Sequence, residues 1–575
     1  MAEPGERATG GRPAEFDVVI VGAGFGGLYA LHELRKRYPS IVVLEAGDGV
    51  GGTWYWNRYP GARVDVYSYS YSYSFSPELE QDWEWKDYFA AQPELEAYAN
   101  HVADRFDLRR DIRLGYRVKS ARWDAGTSRW FLADEAGQQV TGRFVIWATG
   151  GYTNPATPGI PGLPDFAGEL YHGPRWPQAP VDFTGKRIGV IGTGATGMQV
   201  IAALAKEPIA HLTVFQRTPE FVTPAGPLQV DEAYIRKFKA NYREYRAAAR
   251  QSTGGVLYDH FVKTDISGMS DDEFAAFMRS AFDHPFGFYP LSGVANLLTD
   301  EVVNQRVSEF IRSEIRRRVH DPETAEKLVP RGYHLGSRRI IGERGYLEIY
   351  NRPDVTLVDV RADPIDRVVP SGVRTASASY ELDLLILATG FDSGTGALLQ
   401  VDITGKNGAR LSDYWSAGPV TYLGLAMAGI PNSFMIWGPG SPSIRSQGFV
   451  AIEQQVEWLS ELFAYLQAQD VSVIEATPAA DEAWTNHAES MVQASLLAQD
   501  DSQYYGSNVK GKPRRYVAYT GGSYVYRILC DDVRDHGYEG FELTRADGST
   551  VTNSPKWSGP RTDGSLPFRL GNPAA

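Results

Sequence analysis

The 575-residue sequence predicts an α/β fold in which a strand–turn–helix–strand unit occurs twice. The first unit has a buried strand at residues 18–21, a glycine-rich turn, an amphipathic helical stretch and a second strand at 41–44. The second unit repeats this pattern from 186 to 207, with its second strand at 211–215. Such alternation favours parallel sheets covered by helices, so we expect two Rossmann-like, dinucleotide-binding domains.

In the first turn, Gly22, Gly24 and Gly27 form a GxGxxG pattern. The first glycine permits a tight turn, the second lets the backbone approach a pyrophosphate, and the third lets the helix pack on the strand. Glu45 ends the following strand, where its carboxylate can accept hydrogen bonds from a ribose diol. An ordinary glycine-rich turn is the alternative, but the flanking strand, helix and acid favour an FAD site.

The second turn carries Gly192, Gly194 and Gly197, and its following strand ends in basic and polar residues instead of an acid. Arg217 stands there between Gln216 and Thr218. A guanidinium presents a planar fork of donors that suits a 2′-phosphate, which predicts NADPH rather than NADH. The alternative is a solvated surface arginine.

Two further apolar strands, at 144–151 and 384–392, each end in the tripeptide Ala-Thr-Gly. We expect these turns to be the places where the chain crosses between the two nucleotide domains. A chain with two such domains can pass a hydride between two dinucleotides. Cys530 is the only cysteine, so a disulfide reductase with a CxxC pair is excluded.

Composition restricts the classes of partner. Hydrophobic residues make up 43% and charged residues 22%, the balance of a globular protein, and the formal net charge is −13. This acidity argues against nucleic-acid binding and against attachment to an anionic membrane surface. The sequence contains neither a secretory apolar region nor a run long enough to span a membrane, so we expect a cytoplasmic protein.

The domain organisation follows from where strand patterns appear and disappear. The predicted parts are a disordered tail (1–14), an FAD domain in two parts (15–155 and 383–545), an NADP domain in two parts (156–225 and 333–382), a helical insertion in the NADP domain (226–332) and a polar C-terminal tail (546–575).

Two motifs lie in and before the linker that joins the two units. Phe166, Gly168, His172 and Trp176 match the pattern FxGxxxHxxxW, and residues 52–65 match GxWxxxxYPGxxxD. With both glycine turns flanking them, these motifs resemble the type I Baeyer–Villiger monooxygenases from about residue 16 to 545. Taken as residues alone, His172 and Trp176 are equally suited to bracing a domain junction, so His172 is not predicted to be a catalytic base.

The resemblance implies an enzyme in which NADPH reduces FAD and O2 gives a C4a-peroxyflavin. This species attacks a ketone, and the adduct rearranges to an ester or lactone. The resemblance also implies that Arg339 supplies a fixed positive charge and that Asp65 is its carboxylate partner. The expected substrates are O2 and a small-molecule ketone that is bulky or cyclic, with no obligatory protein partner.

The cofactor contacts implied by the turns and the resemblance form two sets. For FAD they are Gly22, Gly24, Gly27, Glu45, Thr53, Trp54, Tyr55, Trp56, Asp65, Tyr71 and Val118. For NADPH they are Gly192, Thr193, Gly194, Ala195, Thr196, Gly197, Gln199, Arg217, Thr218, Arg338 and Gln503.

Several residues depart from the family pattern. Gln503 stands where tryptophan is usual, and Arg338 stands in place of a lysine. In the pocket loop formed by Ser443, Ile444, Arg445 and Gly448, the last two stand where larger apolar side chains are common. A pocket-facing Arg445 could pair with a substrate carboxylate, whereas the alternative is a side chain in solvent. Tyr71 belongs to an alternating stretch, residues 67–75, which predicts a strand with its aromatic rings on one face.

Three other functions stay open from the sequence. One is a flavin monooxygenase that oxygenates sulfur or nitrogen, which shares both glycine turns. The second is a non-oxygenating NADPH–flavin reductase that passes electrons to a partner. The third is an inactive scaffold that only retains FAD.

Overall fold

The computed structural model describes residues 13–226, 229–256, 263–283, 293–552 and 556–561. In chain order its strands are β1 (Ala14–Val21), β2 (Ile41–Leu44), β3 (Ile112–Arg113), β4 (Val118–Asp124), β5 (Arg129–Asp134), β6 (Gln139–Trp147), β7 (Glu169–His172), β8 (Arg187–Ile191), β9 (His211–Gln216), β10 (Val222–Pro224), β11 (Ile341–Glu343), β12 (Val355–Asp359), β13 (Ile365–Val369), β14 (Gly372–Thr375), β15 (Ser379–Glu381), β16 (Leu384–Leu387), β17 (Asp402–Thr404), β18 (Ser433–Met435), β19 (Val471–Ala476) and β20 (Phe541–Arg545). Its α-helices are Phe25–Leu34, Thr53–Trp56, Pro77–Asp82, Gln92–Arg105, Ala195–Leu204, Glu232–Ala240, Tyr242–Arg250, Asp271–Asp283, Glu301–Arg318, Pro322–Leu328, Gly396–Leu399, Leu411–Tyr414, Gly448–Ala468, Pro478–Gln493 and Ser523–Asp535.

The first sheet has the order β17-β4-β5-β6-β1-β2-β3, and β18 also pairs with β6. Its centre is parallel, because β1 runs in the same direction as β2 and β6. Val18, Val19 and Ile20 of β1 are fully buried, so both faces of this strand are covered. That burial explains why β1 appears in the sequence as a continuous apolar run instead of an alternating one.

The second sheet has the order β12-β9-β8-β16-β7, and every pair in it is parallel. Its central strands, β8 and β16, consist almost entirely of buried residues. The helix Ala195–Leu204 leaves the turn after β8 as Phe25–Leu34 leaves the turn after β1. The predicted α/β fold with two Rossmann-like units is confirmed.

The predicted domain boundary at residue 383 is wrong. Strand β16 lies between β8 and β7 in the second sheet, so residues 384–387 belong with the second unit instead of the first. The chain rejoins the first sheet only at β17 and β18. A buried parallel strand has the same apolar sequence in either sheet, and for this reason the boundary could not be read from composition.

Helices occupy the described part of the region predicted as an insertion, 226–332, but they divide between two cores. Phe238 and Tyr242 pack in the core of the first unit. Phe274, Met278 and Val307 pack in the core of the second unit. The region therefore connects the two units instead of standing apart as a body of its own.

The aromatic stretch 67–75 does not form the predicted strand. Ser68–Ser70 is a short 3-10 helix, and the rings do not line one face: Tyr69 packs on Phe238, whereas Tyr71 and Tyr73 both pack on Phe449. The hydroxyl of Ser68 donates to the carbonyl of Asp87, and that of Ser70 donates to the carbonyl of Tyr67. Such serine-to-backbone bonds compete with a strand ladder, which explains the departure from alternation.

The two chain ends differ from the tail predictions where they are described. Residues 1–12 lie outside the described residues, and β1 already begins at Ala14. In the region predicted as a polar C-terminal tail, Val551 and Trp557 are buried against the first core, so the tail does not begin at 546. Single apolar residues in a polar stretch gave no pattern that could predict this packing. No α-helix among the described residues has the length and apolar character needed to cross a membrane.

Candidate functional site

The first glycine turn is so tight that only glycine fits at its key positions. Gly22 has a φ of +106°, and a Cβ there would lie 2.6 Å from the carbonyl oxygen of Ala148. A Cβ on Gly27 would overlap the carbonyl of Gly22. Gly24 forms the N-terminal cap of the helix Phe25–Leu34, whose first N–H groups are free to bind a phosphate. The turn fits the pyrophosphate of a dinucleotide.

Glu45 lies directly beside this turn and is buried. Its carboxylate accepts hydrogen bonds from the N–H of Ala23 at 2.6 Å and from the N–H of Gly47 at 2.7 Å. Burial raises the pKa of Glu45, and the two N–H donors oppose that rise. The acid is thus fixed in orientation at the end of β2, where a ribose bound at the turn would meet it.

The predicted FAD contacts at residues 53–56 lie around the same turn. Gly52 approaches Gly24 so closely that a Cβ on Gly52 would lie 2.7 Å from the Cα of Gly24. The ring of Tyr55 covers Gly47 and Gly49, and the indole N–H of Trp54 donates to the hydroxyl of Tyr71 at 3.3 Å. Three further predicted FAD contacts are also placed by the structure. Thr53 begins the short helix Thr53–Trp56, and Val118 is buried at the start of β4. The ring of Trp56 lies under the guanidinium groups of Arg117 and Arg175.

The second glycine turn repeats the geometry of the first. Gly192 has a φ of +105°, and a Cβ there would lie 2.5 Å from the carbonyl oxygen of Ala388. A Cβ on Gly197 would overlap the carbonyl of Gly192, whereas one on Gly194 would meet nothing within 4 Å. Ala148 and Ala388 are the alanines of the two Ala-Thr-Gly turns, so each turn lies against its own glycine cradle. This cradle also fits a dinucleotide pyrophosphate, received by the helix that starts at Ala195.

The segment 52–65 connects the two cradles. Tyr59 receives a hydrogen bond from Thr196 at 3.3 Å and donates one to Gln199 at 3.1 Å. The side-chain amide of Gln199 donates to the carbonyl of Arg63. Thr196 and Gln199, which were predicted to bind NADPH, therefore also attach the second cradle to a segment that begins at the first.

Asp65, at the end of this segment, holds Arg339. The guanidinium donates to the same carboxylate oxygen from Nε at 2.9 Å and from Nη2 at 2.8 Å. The Asp65 side chain is 4% exposed and that of Arg339 is 39% exposed, so the acid is buried and the cation reaches outward. Burial by itself lowers the pKa of Arg339, but Asp65 outweighs it and holds the pKa above its usual value. The result is a permanent positive charge with a fixed direction.

Basic residues gather at the end of β9. Thr218 is buried, and its carbonyl accepts a hydrogen bond from Thr193, whereas Arg217 is exposed. Arg361 donates to the hydroxyl of Thr218 at 3.0 Å, and Arg338 forms an ion pair with Glu220 at 3.3 Å.

A cavity of about 480 Å³ adjoins this cluster, and its lining includes Arg331, Arg338, Arg361, Arg514, Asp500 and Asp501.

Arg361 and Glu220 were missed from the sequence. Arg361 follows β12, which pairs in parallel with β9, so the carboxyl ends of both strands meet at one edge of the sheet. Pairing β12 with β9 would have revealed it. Glu220 lies two residues after Thr218, and burial raises its pKa to about 7 although Arg338 opposes the rise. No pattern in the sequence indicated a largely covered acid there, whose side chain is 13% exposed.

The fingerprint residues pack on the second sheet. His172 ends β7, and its Nε2 lies 3.5 Å from the hydroxyl of Thr389, the threonine of the second Ala-Thr-Gly turn. Burial lowers the pKa of His172. Trp176 is buried against Tyr171 and Phe183, and Phe166 covers Gly168. These contacts attach the segment 166–176 to the second unit.

Gln503 lies near the same turn, and the pocket loop packs against the residues that follow Gln503. A Cβ on Gly390, the last residue of the second Ala-Thr-Gly, would lie 3.9 Å from the side-chain oxygen of Gln503. Ser443 is buried with a φ of +30°, and Ile444 packs against the cluster that contains Tyr504, Tyr505 and Tyr516. Tyr504 and Tyr505 are therefore themselves buried and do not take an outward position in place of the missing tryptophan.

Residues 16–245 match the protein family described as pyridine nucleotide-disulphide oxidoreductase. The chain is 39% identical over 531 residues to an acetone monooxygenase (methyl acetate-forming) of Gordonia sp., covering 92% of this chain and 99% of that protein. It is 37% identical over 529 residues to a Baeyer–Villiger monooxygenase of Pseudooceanicola batsensis, covering 91% and 96%. Among solved structures, an oxidised steroid monooxygenase bound to NADP superposes with a TM-score of 0.87 at 43% identity, covering 92% and 99%.

Proposed function

The chain belongs to the type I Baeyer–Villiger monooxygenases, and from this premise we propose that it uses FAD, NADPH and O2 to convert a ketone into an ester or lactone. The observation that carries the proposal is the Arg339–Asp65 pair at the end of the segment that connects the two cradles. A reductase that only passes electrons to a partner has no need of a cation fixed in this way.

The residues of both cradles fit the two cofactors. Gly22, Gly24 and Gly27 leave space for a pyrophosphate at the first helix, and Glu45 is fixed where it can accept from a ribose. Bound FAD would accept a hydride from NADPH and activate O2 for transfer to the ketone. At the second cradle, an arginine cluster replaces the acid.

In this cluster, Arg217, Arg338 and Arg361 would bind the 2′-phosphate of NADPH.

Arg339 performs the electrostatic work of the reaction. The ketone oxygen gains negative charge when its carbonyl carbon is attacked, and a guanidinium that stays protonated stabilises this charge. Asp65 takes up the Nε donor and one Nη2 donor, which leaves Nη1 available to a substrate oxygen. Because the direction is fixed before the substrate arrives, little reorganisation is needed during the reaction. Preorganised donors of this kind are commonly worth about 3–4 kcal/mol.

The substrate is proposed to be a small bulky or cyclic ketone. Gly448 begins a helix with ordinary backbone geometry, so its lack of a side chain meets no conformational need. A Cβ there would lie 3.9 Å from the ring of Trp437 and 4.0 Å from that of Tyr71. The missing side chain thus leaves room beside Tyr71, on the wall shared with the first cradle. We propose that the enzyme works in the cytoplasm without an obligatory protein partner.

The test is product analysis with the purified, FAD-loaded enzyme. NADPH is supplied with linear, cyclic and polycyclic ketones and with an aryl methyl sulfide, and products are identified by mass spectrometry. Esters or lactones formed in proportion to NADPH consumed are expected. Hydrogen peroxide as the only product, or a sulfoxide with no ester from any ketone, would overturn the proposal.

A further inference from the structure

Arg445, in the pocket loop, is held entirely by neutral groups. Its Nε donates to the hydroxyl of Tyr516 at 2.7 Å, and its Nη2 donates to the carbonyl of Gly336 at 3.1 Å. Its guanidinium carbon also lies 5.5 Å from the ring centre of Tyr504 and 5.8 Å from that of Tyr516. These contacts fix the orientation of the side chain without neutralising it.

Within the described ranges, no carboxylate lies within 4.0 Å of the Arg445 guanidinium, whereas three nearby arginines each have one. Arg339 pairs with Asp65, Arg338 with Glu220, and Arg514 with Asp501. A half-buried charge without a partner is costly, because it loses part of its hydration without gaining an ion pair. The arrangement is expected where a ligand supplies the missing charge.

The unpaired guanidinium lies close to the reacting position. The Tyr152 hydroxyl is within electrostatic reach of both Arg339 and Arg445, so the two cations lie in the same neighbourhood. The carbonyl that orients Arg445 belongs to Gly336, three residues before Arg339. The Nε and Nη2 donors are occupied on one edge of the fork, and Nη1 has no partner among the described residues, which leaves it free for an anion.

We propose that Arg445 binds an anionic group, a carboxylate, on the ketone substrate while Arg339 faces the ketone oxygen. The inference rests on the proposed function and adds the class of substrate to it. A carboxylate suits the free edge of the fork, because guanidinium–carboxylate pairs form strong charge-assisted hydrogen bonds. Gly448, three residues further along the chain, carries no side chain beside Trp437 and Tyr71, and the body of such a substrate would lie there.

The experiment compares matched pairs of substrates that differ only in charge. Cyclohexanones carrying an acetate or a propionate side chain beside the carbonyl are supplied with NADPH, each next to its neutral methyl ester. The FAD-loaded wild-type enzyme is expected to prefer at least one carboxylate over its ester by roughly tenfold or more in kcat/KM. Titration of the oxidised flavin absorbance with the same compounds gives their dissociation constants without turnover.

Three variants separate charge from shape. Arg445→Met keeps much of the length and removes the charge, so the carboxylate preference should fall by roughly 10- to 100-fold while the ester is affected little. Arg445→Lys keeps the charge without the planar fork and should retain part of the preference. Arg514→Leu removes an arginine whose guanidinium carbon lies 3.9 Å from the Tyr505 ring centre in the same aromatic cluster but which pairs with Asp501, so the carboxylate-to-ester ratio should not change.

The outcomes distinguish this inference from the proposed function. Equal kcat/KM for carboxylates and esters, with lactones formed from both, would overturn the role of Arg445 and leave the oxygenase intact. An equal loss on both substrates in Arg445→Met, or a raised KM for NADPH with every ketone, would assign Arg445 to loop positioning or to the cofactor and overturn the inference. Absence of lactone from every ketone would overturn the proposed function itself.

Discussion

The two cradles share one backbone and differ in the chemistry at their strand ends. In each cradle, the first glycine lies against the carbonyl of an alanine from an Ala-Thr-Gly turn. A Cβ added to Gly22 would lie 2.6 Å from that carbonyl oxygen, and a Cβ added to Gly192 would lie 2.5 Å from its counterpart. The first strand end offers the buried acid Glu45, whereas the second offers a cluster of arginines around Thr218. In the proposed function, the shared backbone accounts for the binding of a dinucleotide, and the strand end accounts for which dinucleotide binds.

The Asp65–Arg339 pair between the cradles differs from both of them, because its two residues come from different segments. Asp65 comes from the segment that packs on the first cradle, and Arg339 comes from the polypeptide that surrounds the second. The Arg339–Asp65 ion pair is thus assembled from both halves, and neither half alone contains it. Substitutions in one cradle, or in the Asp65–Arg339 pair, should therefore have effects that substitutions elsewhere do not share.

The largest effect is expected at the glycines that pack most tightly. Gly27→Ala places a methyl group against the carbonyl of Gly22, and Gly197→Ala does the same to Gly192, so each should lower the Tm by about 5 °C or more. Gly27→Ala should also lose bound FAD, whereas Gly197→Ala should stay yellow and lose NADPH binding. Gly194→Ala is the matched control, because its Cβ meets nothing within 4 Å and the Tm should not change. A yellow, fully stable Gly27→Ala enzyme would contradict the account of the first cradle.

Arg339→Ala should separate the two half-reactions. Formation of the oxygenated product should fall by about 100- to 1,000-fold, because the charge that stabilises the oxyanion is lost. Reduction of FAD by NADPH should continue, which rapid-mixing absorbance measures separately. Asp65→Asn keeps the shape of the partner and should cause a smaller loss of the same kind. Undiminished ester formation by Arg339→Ala would show that another group holds the charge.

Because the two strand ends carry different residues, substitutions at each should affect a different cofactor. Arg217→Leu and Arg361→Leu should each raise the KM for NADPH by about 10-fold and leave the KM for NADH nearly unchanged, since only NADPH carries the 2′-phosphate. Glu45→Gln should weaken FAD retention during dialysis and leave the NADPH preference as it is. If Arg361→Leu changes both coenzymes equally, Arg361 supports the fold and does not bind the phosphate.

The smallest effect concerns pH and Glu220. Its pKa is raised from 4.5 to about 7, chiefly by burial, with Arg338, Tyr333 and Arg217 opposing the rise. A raised pKa means that the stability contributed by this group is present below pH 4.5 and is lost as the pH rises to 7. Glu220→Gln stays neutral, so its Tm should fall less over that interval than the wild-type Tm, by about 1–2 °C. Parallel Tm profiles for the two proteins would contradict the buried position of the acid.

Much of this arrangement could be predicted from local sequence. The glycine positions are fixed by sterics at single residues, so the pattern of glycines after a buried strand was sufficient to locate both cradles. The Ala-Thr-Gly turns were recognised as equivalent, and their alanines do lie against the two cradles. The positions of Glu45 and Thr218 in the two sites could be predicted because these residues follow the ends of β2 and β9.

The predictions that were wrong, and the site residue that was missed, depended on contacts between separate segments of the chain. Strand β16 has the same apolar sequence that either sheet would accept, and only its pairing with β7 and β8 assigns it. The hydroxyl of Ser68 binds the carbonyl of Asp87, 19 residues further along the chain, and the sequence does not identify this partner of the expected strand. Arg361 became visible only when β12 was placed beside β9.

The most direct test of the central claim is to follow the oxygen atom. The FAD-loaded enzyme is supplied with NADPH, a cyclic ketone and heavy-isotope O2, and the lactone is examined by mass spectrometry. The account predicts one heavy atom in each lactone, in the ring-oxygen position, with one NADPH consumed per product. Lactone without the heavy isotope, or NADPH consumption that yields only peroxide, would contradict it.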